Sequence, residues 1–476
     1  MSSYYVKART KPRASSLLGL NEKLIVKLKE GVDISYLKEQ LSNIQPNSIE
    51  HIFSQSKKNS KKSISKKYQN YGFDRVFIFE YDNKHNAFNA YNILEGTQYN
   101  HLVELVIHDH HSGRYQNTAT SKLSNNKSYN TSSGANSISY MPSNATVKPN
   151  DPMFHDQWAL KLINAPVAWS QTKGSSLMKI AVIDSGFDLN HEDLKDNLIQ
   201  GMDIADGDYD PSFAPLTGPY IEEGFSAEHG TMVAGILAAK GNNNIGMAGT
   251  VWNAQILPIK SSTDTGAMHL SDLVSSIYYA INQEARVINI TQSFFFDSVP
   301  NNATHSLRKE SAESKELLRQ VIQVAIADGI AVVAAAGNES TNLDTHKTHK
   351  PYPACLDGVI CVGAVDHNLK KAKYSNFGSR IDIWAPGGSE YEPGMLRSQY
   401  MILAPYPIDQ YRLYSGTSSA APMVSGVIAA MLSKNPRLRP SRILQLLKSN
   451  AQIVEGLRVL DMGKTISNTK RVHDEY

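Results

Sequence analysis

The sequence contains only two cysteines, Cys355 and Cys361, among its 476 residues. So few thiols exclude a scaffold that is held together by disulfides. Because Cys361 lies in the apolar run "VICVGAV", we interpret both residues as reduced thiols of the core, with a bridge between them as the alternative.

Strong net charge and long apolar runs are absent as well. A net charge of +3 is too small to indicate binding to nucleic acid or to a membrane surface. No apolar run reaches the roughly 18 residues of a membrane span, and residues 1–20 lack the apolar core of a secretory signal peptide. The length and the hydrophobic content of 41% indicate a globular protein with two or three domains.

Residues 21–111 alternate between strand-like and helix-like patterns. The order of these elements predicts a small β-α-β-β-α-β unit of the ferredoxin-like kind. A lysine-rich run within it, residues 56–67, has no aromatic residue and no helical face, so we interpret it as a solvated loop. The predicted strands are 23–28, 49–53, 74–81 and 101–107, and the predicted helices are 33–44 and 85–94.

Three further segments separate or flank these units. Residues 112–149 are dominated by Ser, Asn and Thr and contain too few apolar groups to form a core, so we interpret them as a linker. Residues 1–20 are an N-terminal extension, and residues 466–476 are a C-terminal tail.

The part from 150 to 465 predicts an α/β domain. Its short apolar runs are rich in β-branched residues, which is typical of parallel strands that are buried on both faces. Helical patterns between several of these runs favour crossover helices and a doubly wound sheet. The predicted strands are 179–183, 254–260, 286–290, 329–336 and 358–365, and the predicted helices are 229–240, 270–283 and 312–328.

Four polar residues stand where elements of this domain begin or end: Asp184, His229, Asn338 and Ser418. Each alone has an ordinary explanation, since such residues are common in turns and at helix caps. Sites in α/β sheets form at the carboxyl ends of the strands. An acid, an imidazole, an amide and a hydroxyl in these positions therefore predict nucleophilic catalysis by Ser418 at a helix N-terminus.

The segments that carry these residues, "VIDSG", "HGTMVAG", "AAAGNE" and "GTSSAAP", resemble the signature blocks of subtilisin-like serine proteases. The order Asp, His, Ser is the order of subtilisin. The resemblance implies a serine endopeptidase in which Ser418 attacks, His229 transfers the proton, Asp184 orients the imidazole and Asn338 stabilises the oxyanion together with the Ser418 N–H.

The N-terminal unit resembles the propeptide of the same family, through "LIVKLKEG" and "LVELVIHDH". The resemblance implies an intramolecular chaperone and inhibitor, and therefore a zymogen that processes itself. The stretch "DHHSGRY" (109–115) is similar to the tail that is cut, so Tyr115 is expected before the scissile bond. By the same analogy we expect a secreted monomer that acts on proteins or peptides.

The loop "AAKGNNNIGMAG" (238–249) resembles the strong calcium site of the family. The resemblance implies structural Ca²⁺ bound by hard oxygen ligands. A second acidic stretch, 203–211, is a weaker candidate for calcium and is interpreted as a solvated loop. The implied ligands are the side chains of Asp151, Asp193 and Asn243 and the carbonyl groups of Ile245 and Met247.

One segment departs from the family pattern. Thr291, Gln292 and Ser293 replace the small residues of the strand on which substrate pairs, and three phenylalanines follow. Ser293 in place of glycine is expected to narrow the first specificity pocket, because glycine permits close backbone approach. The phenylalanines either line a subsite or pack in the core, and residues 343–355, with two histidines, are expected nearby as a polar loop.

Two alternatives to an active subtilisin-like protease remain. One is a catalytically impaired relative that binds peptides, with the altered strand blocking productive substrate. The other is an acid-acting sedolisin-type peptidase, which the histidine at position 229 disfavours because that class has a carboxylate there.

Overall fold

The structure is a computed structural model that describes residues 22–41, 44–53, 66–110, 121–122, 146–213, 227–264, 266–299, 303–389 and 399–471. The N-terminal extension, Tyr115, most of the lysine-rich run and most of the predicted linker lie outside the described residues. The domain boundaries stay predictions, but the described residues form two main sheets that coincide with the two predicted units.

The N-terminal unit is a four-stranded antiparallel sheet in the order β2-β3-β1-β4, which confirms the predicted α+β arrangement. Side-chain caps set where its two longer helices begin: Asp33 accepts from the Ser35 N–H, and Asn83 accepts from the Asn86 N–H. Its elements are β1 (Lys23–Leu28), α1 (Ile34–Gln40), β2 (Ser48–His51), α2 (Lys66–Gln69), β3 (Val76–Glu80), α3 (Lys84–Leu94) and β4 (Val103–His108).

The larger unit is built on a nine-stranded sheet in the order β15-β16-β12-β11-β10-β9-β6-β8-β7. Every described pairing in it is parallel except that between β15 and β16. A separate sheet has the order β13-β14-β5. The strands are β5 (Ser121–Lys122), β6 (Gly174–Asp184), β7 (Met202–Asp203), β8 (Asn253–Lys260), β9 (Val287–Ile290), β10 (Ala331–Ala335), β11 (Ile360–Val365), β12 (Ile383–Pro386), β13 (Ile402–Tyr406), β14 (Gln410–Tyr414), β15 (Gln452–Val454) and β16 (Leu457–Val459).

The helices around this sheet include two that are almost entirely buried. Every residue of α6 is buried, and so are all residues of α9 up to Leu432. Gly426 lets α9 approach Thr250 closely, because a Cβ at this position would lie 2.7 Å from the Thr250 Cβ. The helices are α4 (Trp158–Leu162), α5 (Ala165–Trp169), α6 (His229–Ala238), α7 (Leu270–Asn282), α8 (His305–Ala327), α9 (Thr417–Lys434), α10 (Pro440–Asn450) and α11 (Met462–Ser467).

The sequence-based boundaries differ from the structure in two informative places. Helix α8 begins at His305, seven residues before the predicted start at 312, because its polar first turns lie against the N-terminal sheet and carry no apolar stripe of their own. Two residues of the predicted linker, Ser121 and Lys122, form β5 against β14. Among the described residues, no helix has the length and apolar character to cross a membrane.

The N-terminal sheet docks on α7 through the end of β4. The Asp109 carboxylate accepts the Ser271 N–H at 2.9 Å and the Ser271 hydroxyl at 2.6 Å. The His110 carbonyl accepts the Leu270 N–H at 2.8 Å. A carboxylate and a carbonyl thus satisfy donors at the helix N-terminus, where the helix dipole favours negative charge.

Further contacts extend this interface along α7 and onto α8. The Phe53 and Tyr278 rings are stacked with centroids 3.6 Å apart. Glu310 Oε1 accepts both the His108 N–H and a hydrogen bond from His108 Nδ1, each at 2.7 Å. The His110 Nε2 lies 3.8 Å from the same oxygen. The polar first turns of α8 therefore contact the N-terminal sheet.

This interface predicts a loss of stability at mildly acidic pH. Burial lowers the pKa of His110 from 6.5 to about 4, so the docked state disfavours the imidazolium. The stabilisation is complete above pH 6.5 and is lost as the pH falls toward 4, by about 2 kcal/mol at pH 5.

In a Ser418→Ala chain, chemical denaturation at pH 6.5 and pH 5 should show this loss of unfolding free energy, and His110→Asn should make the loss smaller. The control His85→Asn changes an exposed residue of α3; an equal pH dependence in both variants would contradict the assignment.

Candidate active site

Asp184 is the last residue of β6, at the carboxyl edge of the parallel sheet. Its side chain is fully buried. The Ser185 N–H donates to its Oδ1 at 2.8 Å. The strand thus delivers a carboxylate into the interior, where its charge has to be met by hydrogen bonds rather than by water.

His229 is the first residue of α6 and points at this carboxylate. Its Nδ1 lies 2.8 Å from Asp184 Oδ1, and the residue is 5% exposed. Because an ionised carboxylate only accepts, the Nδ1 carries the hydrogen and the other ring nitrogen, Nε2, is the one that can accept a proton. The predicted pair of acid and imidazole is therefore in direct contact.

Thr291 adds a third donor that sequence reasoning missed. Its hydroxyl donates to Asp184 Oδ2 at 2.5 Å, so both carboxylate oxygens are held. The residue follows β9 directly, and β9 lies beside β6 in the sheet. Its place directly after a buried strand is the signal in the sequence that points to this contact.

Ser418 is the second residue of α9, and its hydroxyl oxygen is buried without a hydrogen-bond partner in the described part of the chain. The adjacent Ser419 hydroxyl lies 3.9 Å from the sulfur of Met232, which is three residues after His229 on α6. The two helices that begin with the imidazole and the hydroxyl therefore pack side by side. An unpartnered hydroxyl at a helix N-terminus is a suitable nucleophile.

Asn338 lies just beyond β10 and is fixed to the segment that carries Ser418. Its Oδ1 accepts the Thr417 N–H and the Thr417 hydroxyl, both at 2.9 Å. A backbone N–H can only donate, so these contacts determine which end of the amide is the oxygen. The Asn338 NH₂ group is consequently directed away from Thr417 and remains as a donor.

The altered strand fits the fold through internal contacts. Gln292 is buried, and its Oε1 accepts from the Ser261 hydroxyl at 3.1 Å. Phe294 and Phe296 belong to the core and stack with centroids 5.6 Å apart, whereas Phe295 is half-buried. Two of the three phenylalanines therefore pack in the core, which was one of the two interpretations of this cluster.

The five predicted calcium ligands come together around residues 243–247. Asp193 is fully buried and accepts from the Met247 N–H at 2.8 Å and from the Asn243 amide at 3.0 Å. Asp151 accepts from the Asn243 N–H at 3.1 Å, and Ile245 donates its N–H to the Asn243 side chain at 2.9 Å.

This set of donors fits calcium chemically. Burial raises the pKa of both Asp151 and Asp193, and within the described residues neither carboxylate forms a salt bridge with lysine or arginine. The oxygens of these carboxylate, amide and carbonyl groups are the hard ligands that Ca²⁺ prefers, and the two carboxylates reach the loop from other parts of the chain.

Two other polar segments, 203–211 and 343–355, differ in the contacts that they make. The interpretation of 203–211 as a solvated loop is wrong for Asp203, which is buried and pairs with Lys260 at 2.5 Å. The polar loop 343–355 has His346 and His349 with ring centroids 4.7 Å apart, and no cluster of three metal-binding side chains occurs among the described residues. Both cysteines are free, with Cys361 fully buried and Cys355 half-buried.

Comparison with known proteins shows the family of this chain. The model of the Subtilase family (Peptidase_S8) matches residues 175–473, and the chain belongs to this family of serine proteases. It is 34% identical over 314 residues to the thermophilic serine proteinase of Bacillus sp. (strain AK1). The aligned region covers 66% of this chain and 66% of that protein. It is 33% identical over 309 residues to thermitase of Thermoactinomyces vulgaris, and the aligned region covers 65% of this chain and 93% of thermitase.

Solved structures extend the similarity of fold to the N-terminal unit. The epidermin leader peptide processing serine protease (EpiP) from Staphylococcus aureus superposes with a TM-score of 0.63 over 94% of this chain and 99% of that chain. The identity is 20%, so this match speaks for the fold alone. The shared fold includes both the small antiparallel sheet and the large parallel one.

Thr291→Val should reduce turnover of peptide substrates by about tenfold to hundredfold. The substitution keeps the size of the side chain but removes the hydrogen bond to a buried, charged carboxylate, which is worth about 1.5–3 kcal/mol. Thr291→Ser is the matched control, because it keeps the hydroxyl and should restore most of the activity.

The measurement is kcat and KM over a range of pH values. Removal of this donor should change kcat and its dependence on pH, whereas a purely structural defect lowers the amount of active enzyme equally at every pH. Equal kcat and an unmoved profile in the valine variant would refute the role.

Proposed function

We propose that this protein is a serine endopeptidase that hydrolyses peptide bonds through Asp184, His229 and Ser418 by way of an acyl-enzyme. The observation that carries the proposal is the buried hydrogen bond of 2.8 Å between His229 Nδ1 and Asp184 Oδ1 in a chain of the Subtilase family. That bond orients the imidazole and stabilises the imidazolium that forms during catalysis.

The reaction follows from the chemistry of these groups. The Ser418 Oγ attacks the scissile carbonyl carbon while His229 Nε2 takes its proton. The tetrahedral oxyanion is stabilised by the NH₂ of Asn338 and by the Ser418 N–H. His229 then protonates the leaving amine, the C–N bond breaks, and water hydrolyses the ester that remains on Ser418.

The N-terminal unit supports a zymogen that processes itself. It covers the N-termini of α7 and of the longer α8 through Asp109, His108 and Glu310, which is the behaviour expected of a propeptide that assists folding and inhibits. Cleavage after Tyr115, secretion and the monomeric state stay predictions. An N-terminus of the purified active protein far from residue 116 would reject that cleavage position.

The function is tested with a fluorophosphonate probe and two substitutions. The probe should label Ser418, and Ser418→Ala should abolish both labelling and hydrolysis. Asn338→Ala should lower kcat about 10²–10³-fold, a magnitude measured on an oxyanion donor of subtilisin, which we adopt here. The control Asn368→Ala changes an exposed amide. A folded protein without labelling would instead favour the peptide-binding alternative.

We further propose that the loop around Asp193 binds structural Ca²⁺, with Asp151, Asn243 and the Ile245 and Met247 carbonyl groups as the other ligands. A bound ion would neutralise the two buried carboxylates and thereby stabilise the folded state. Neither catalytic step requires it, so the expected role is in stability.

Chelation should therefore lower the melting temperature of the protein. Calcium at about one hundred times its Kd contributes about 2.7 kcal/mol, and Asp193→Asn should remove most of the calcium-dependent shift. Asp208→Asn, in the other acidic stretch, is the control and should keep it. Identical melting curves with calcium and with chelator would exclude the site.

A further inference from the structure

A buried lysine stands at the end of the strand beside Asp184. Lys260 is the last residue of β8, and in the parallel register it pairs with Asp184 of β6 on one side and with Asp203 of β7 on the other. The residue is 4% exposed. A charged ammonium group in such a place needs close acceptors, because the burial of an unpaired charge is very costly.

Three carboxylates converge on this ammonium group. The Lys260 Nζ lies 2.5 Å from Asp203 Oδ2. It lies 2.7 Å from Asp264 Oδ1 and 3.2 Å from Asp206 Oδ2. An ammonium group has three hydrogens to donate, so each carboxylate can accept one of them. Within the described residues, no other lysine or arginine lies within salt-bridge distance of these three carboxylates.

The lysine joins two loops of the larger unit. Asp203 ends β7 and Asp206 lies in the turn that follows, where its N–H donates to Asp203 Oδ1 at 3.1 Å. Asp264 lies in the other loop, four residues after Lys260. Burial alone would lower the pKa of Lys260, but the hydrogen bonds to Asp203 and Asp264 raise it above its ordinary value. The amine therefore stays charged and holds both loops.

The segment between the lysine and its third carboxylate, residues 261–264, lies on the backbone of Asp184. The Ser261 N–H donates to the Asp184 carbonyl at 3.0 Å. The Ser262 hydroxyl donates to the Ser185 carbonyl at 3.3 Å, and the Ser185 N–H in turn donates to the Asp184 carboxylate at 2.8 Å. The orientation of that carboxylate thus depends on where segment 261–264 is held.

The same segment also reaches the residue next to the third donor of Asp184. The Ser261 hydroxyl lies 3.1 Å from Gln292 Oε1. Gln292 follows Thr291, whose hydroxyl donates to Asp184 Oδ2. A displacement of segment 261–264 would therefore disturb the carboxylate through its backbone and through this neighbouring donor.

We propose that Lys260 is a positioning residue for the reaction: its ammonium group holds three carboxylates together and thereby fixes segment 261–264 against the backbone of Asp184. The inference rests on the proposed protease function. Lys260 touches neither the substrate nor the reacting atoms, so it acts only through Asp184. A lysine suits this role because, unlike a bound ion, it cannot dissociate.

The cluster without its lysine would have the donors of a cation site. Three carboxylates that lie within 3.2 Å of one point supply the hard oxygen ligands that Ca²⁺ prefers. Without the ammonium group, these carboxylates also repel one another. A divalent cation from solution should therefore take over the role of the ammonium group in a variant that lacks it.

The first test compares Lys260→Met with the double variant Lys260→Met and Asp203→Asn, both in the full chain. The single variant leaves a buried carboxylate unpaired and should melt at a much lower temperature, whereas the double variant removes that charge and should regain most of the stability. Asparagine keeps the size of the side chain and the acceptor for the Asp206 N–H.

The measured quantities are kcat and KM per Ser418 labelled by the fluorophosphonate probe, which corrects for inactive chains. In both variants kcat should be about tenfold to hundredfold below that of the parent, the effect of a small displacement of a catalytic group. KM should change by less than about twofold, because substrate binding does not use Lys260. A merely structural role predicts instead that kcat recovers together with the melting temperature.

Lys179→Met is the matched control. Lys179 is also on a strand of the parallel sheet, five residues before Asp184, but its ammonium group donates to the Gln283 carbonyl rather than to a carboxylate. Its replacement should leave kcat unchanged.

The second test adds calcium chloride to the same proteins. The parent responds only through the loop around Asp193, so it is the reference. Calcium should restore most of the kcat of Lys260→Met beyond that response, whereas the double variant, with one carboxylate fewer, should gain no more than the parent at the same concentration.

The outcomes separate this inference from the proposed function. A parental kcat in the double variant would overturn the positioning role and leave the protease intact, and so would a calcium response of Lys260→Met equal to that of the parent. If the single variant does not fold, the double variant alone decides. Failure of the parent chain to label and to hydrolyse any substrate would refute the protease function and the inference with it.

Discussion

The site depends on one buried charge, the carboxylate of Asp184. It lies at the end of β6 with no exposed surface, so its solvation has to come from protein donors. The Ser185 N–H, His229 Nδ1 and the Thr291 hydroxyl supply them. Each donor comes from a different part of the chain, and each is oriented by meeting the same carboxylate.

This constraint explains why the residues of the candidate site lie at one edge of the sheet. Parallel strands end on the same side, so β6, β9 and β10 bring Asp184, Thr291 and Asn338 to a common edge. Helices α6 and α9 then begin at that edge with His229 and Ser418 near their N-termini. Thr417 connects the start of α9 with the segment after β10, because its N–H and its hydroxyl both donate to the Asn338 Oδ1.

Two regions outside the parallel sheet pack against the larger unit. The N-terminal sheet binds the starts of α7 and α8 with Asp109 and Glu310 at their buried contacts. On the other side, β14 offers its edge to an extended segment and receives Ser121 and Lys122 from the same chain. Two segments from the N-terminal part of the chain thus make long-range contacts with the larger unit.

Local pattern predicted a large part of this molecule. The alternation of strands and helices and the four-stranded N-terminal unit follow from residues that mark the ends of elements. The contact between Asp184 and His229 is what the resemblance of their segments to subtilisin-like proteases implies. The polar half of α8 was missed because a helix that contacts a separate sheet needs no apolar stripe. Asp203 was assigned to a solvated loop because its partner, Lys260, is 57 residues away in the chain.

The sequence by itself determined which groups the site has and on which element each stands, since turns, caps and strand ends are encoded by neighbouring residues. Only the tertiary structure decided the hydrogen bond from Thr291, the ion pair of Asp203 and the strand at residues 121–122. Each of these joins residues that are distant in the chain, and such contacts arise when the sheet closes and buried polar groups have to find partners.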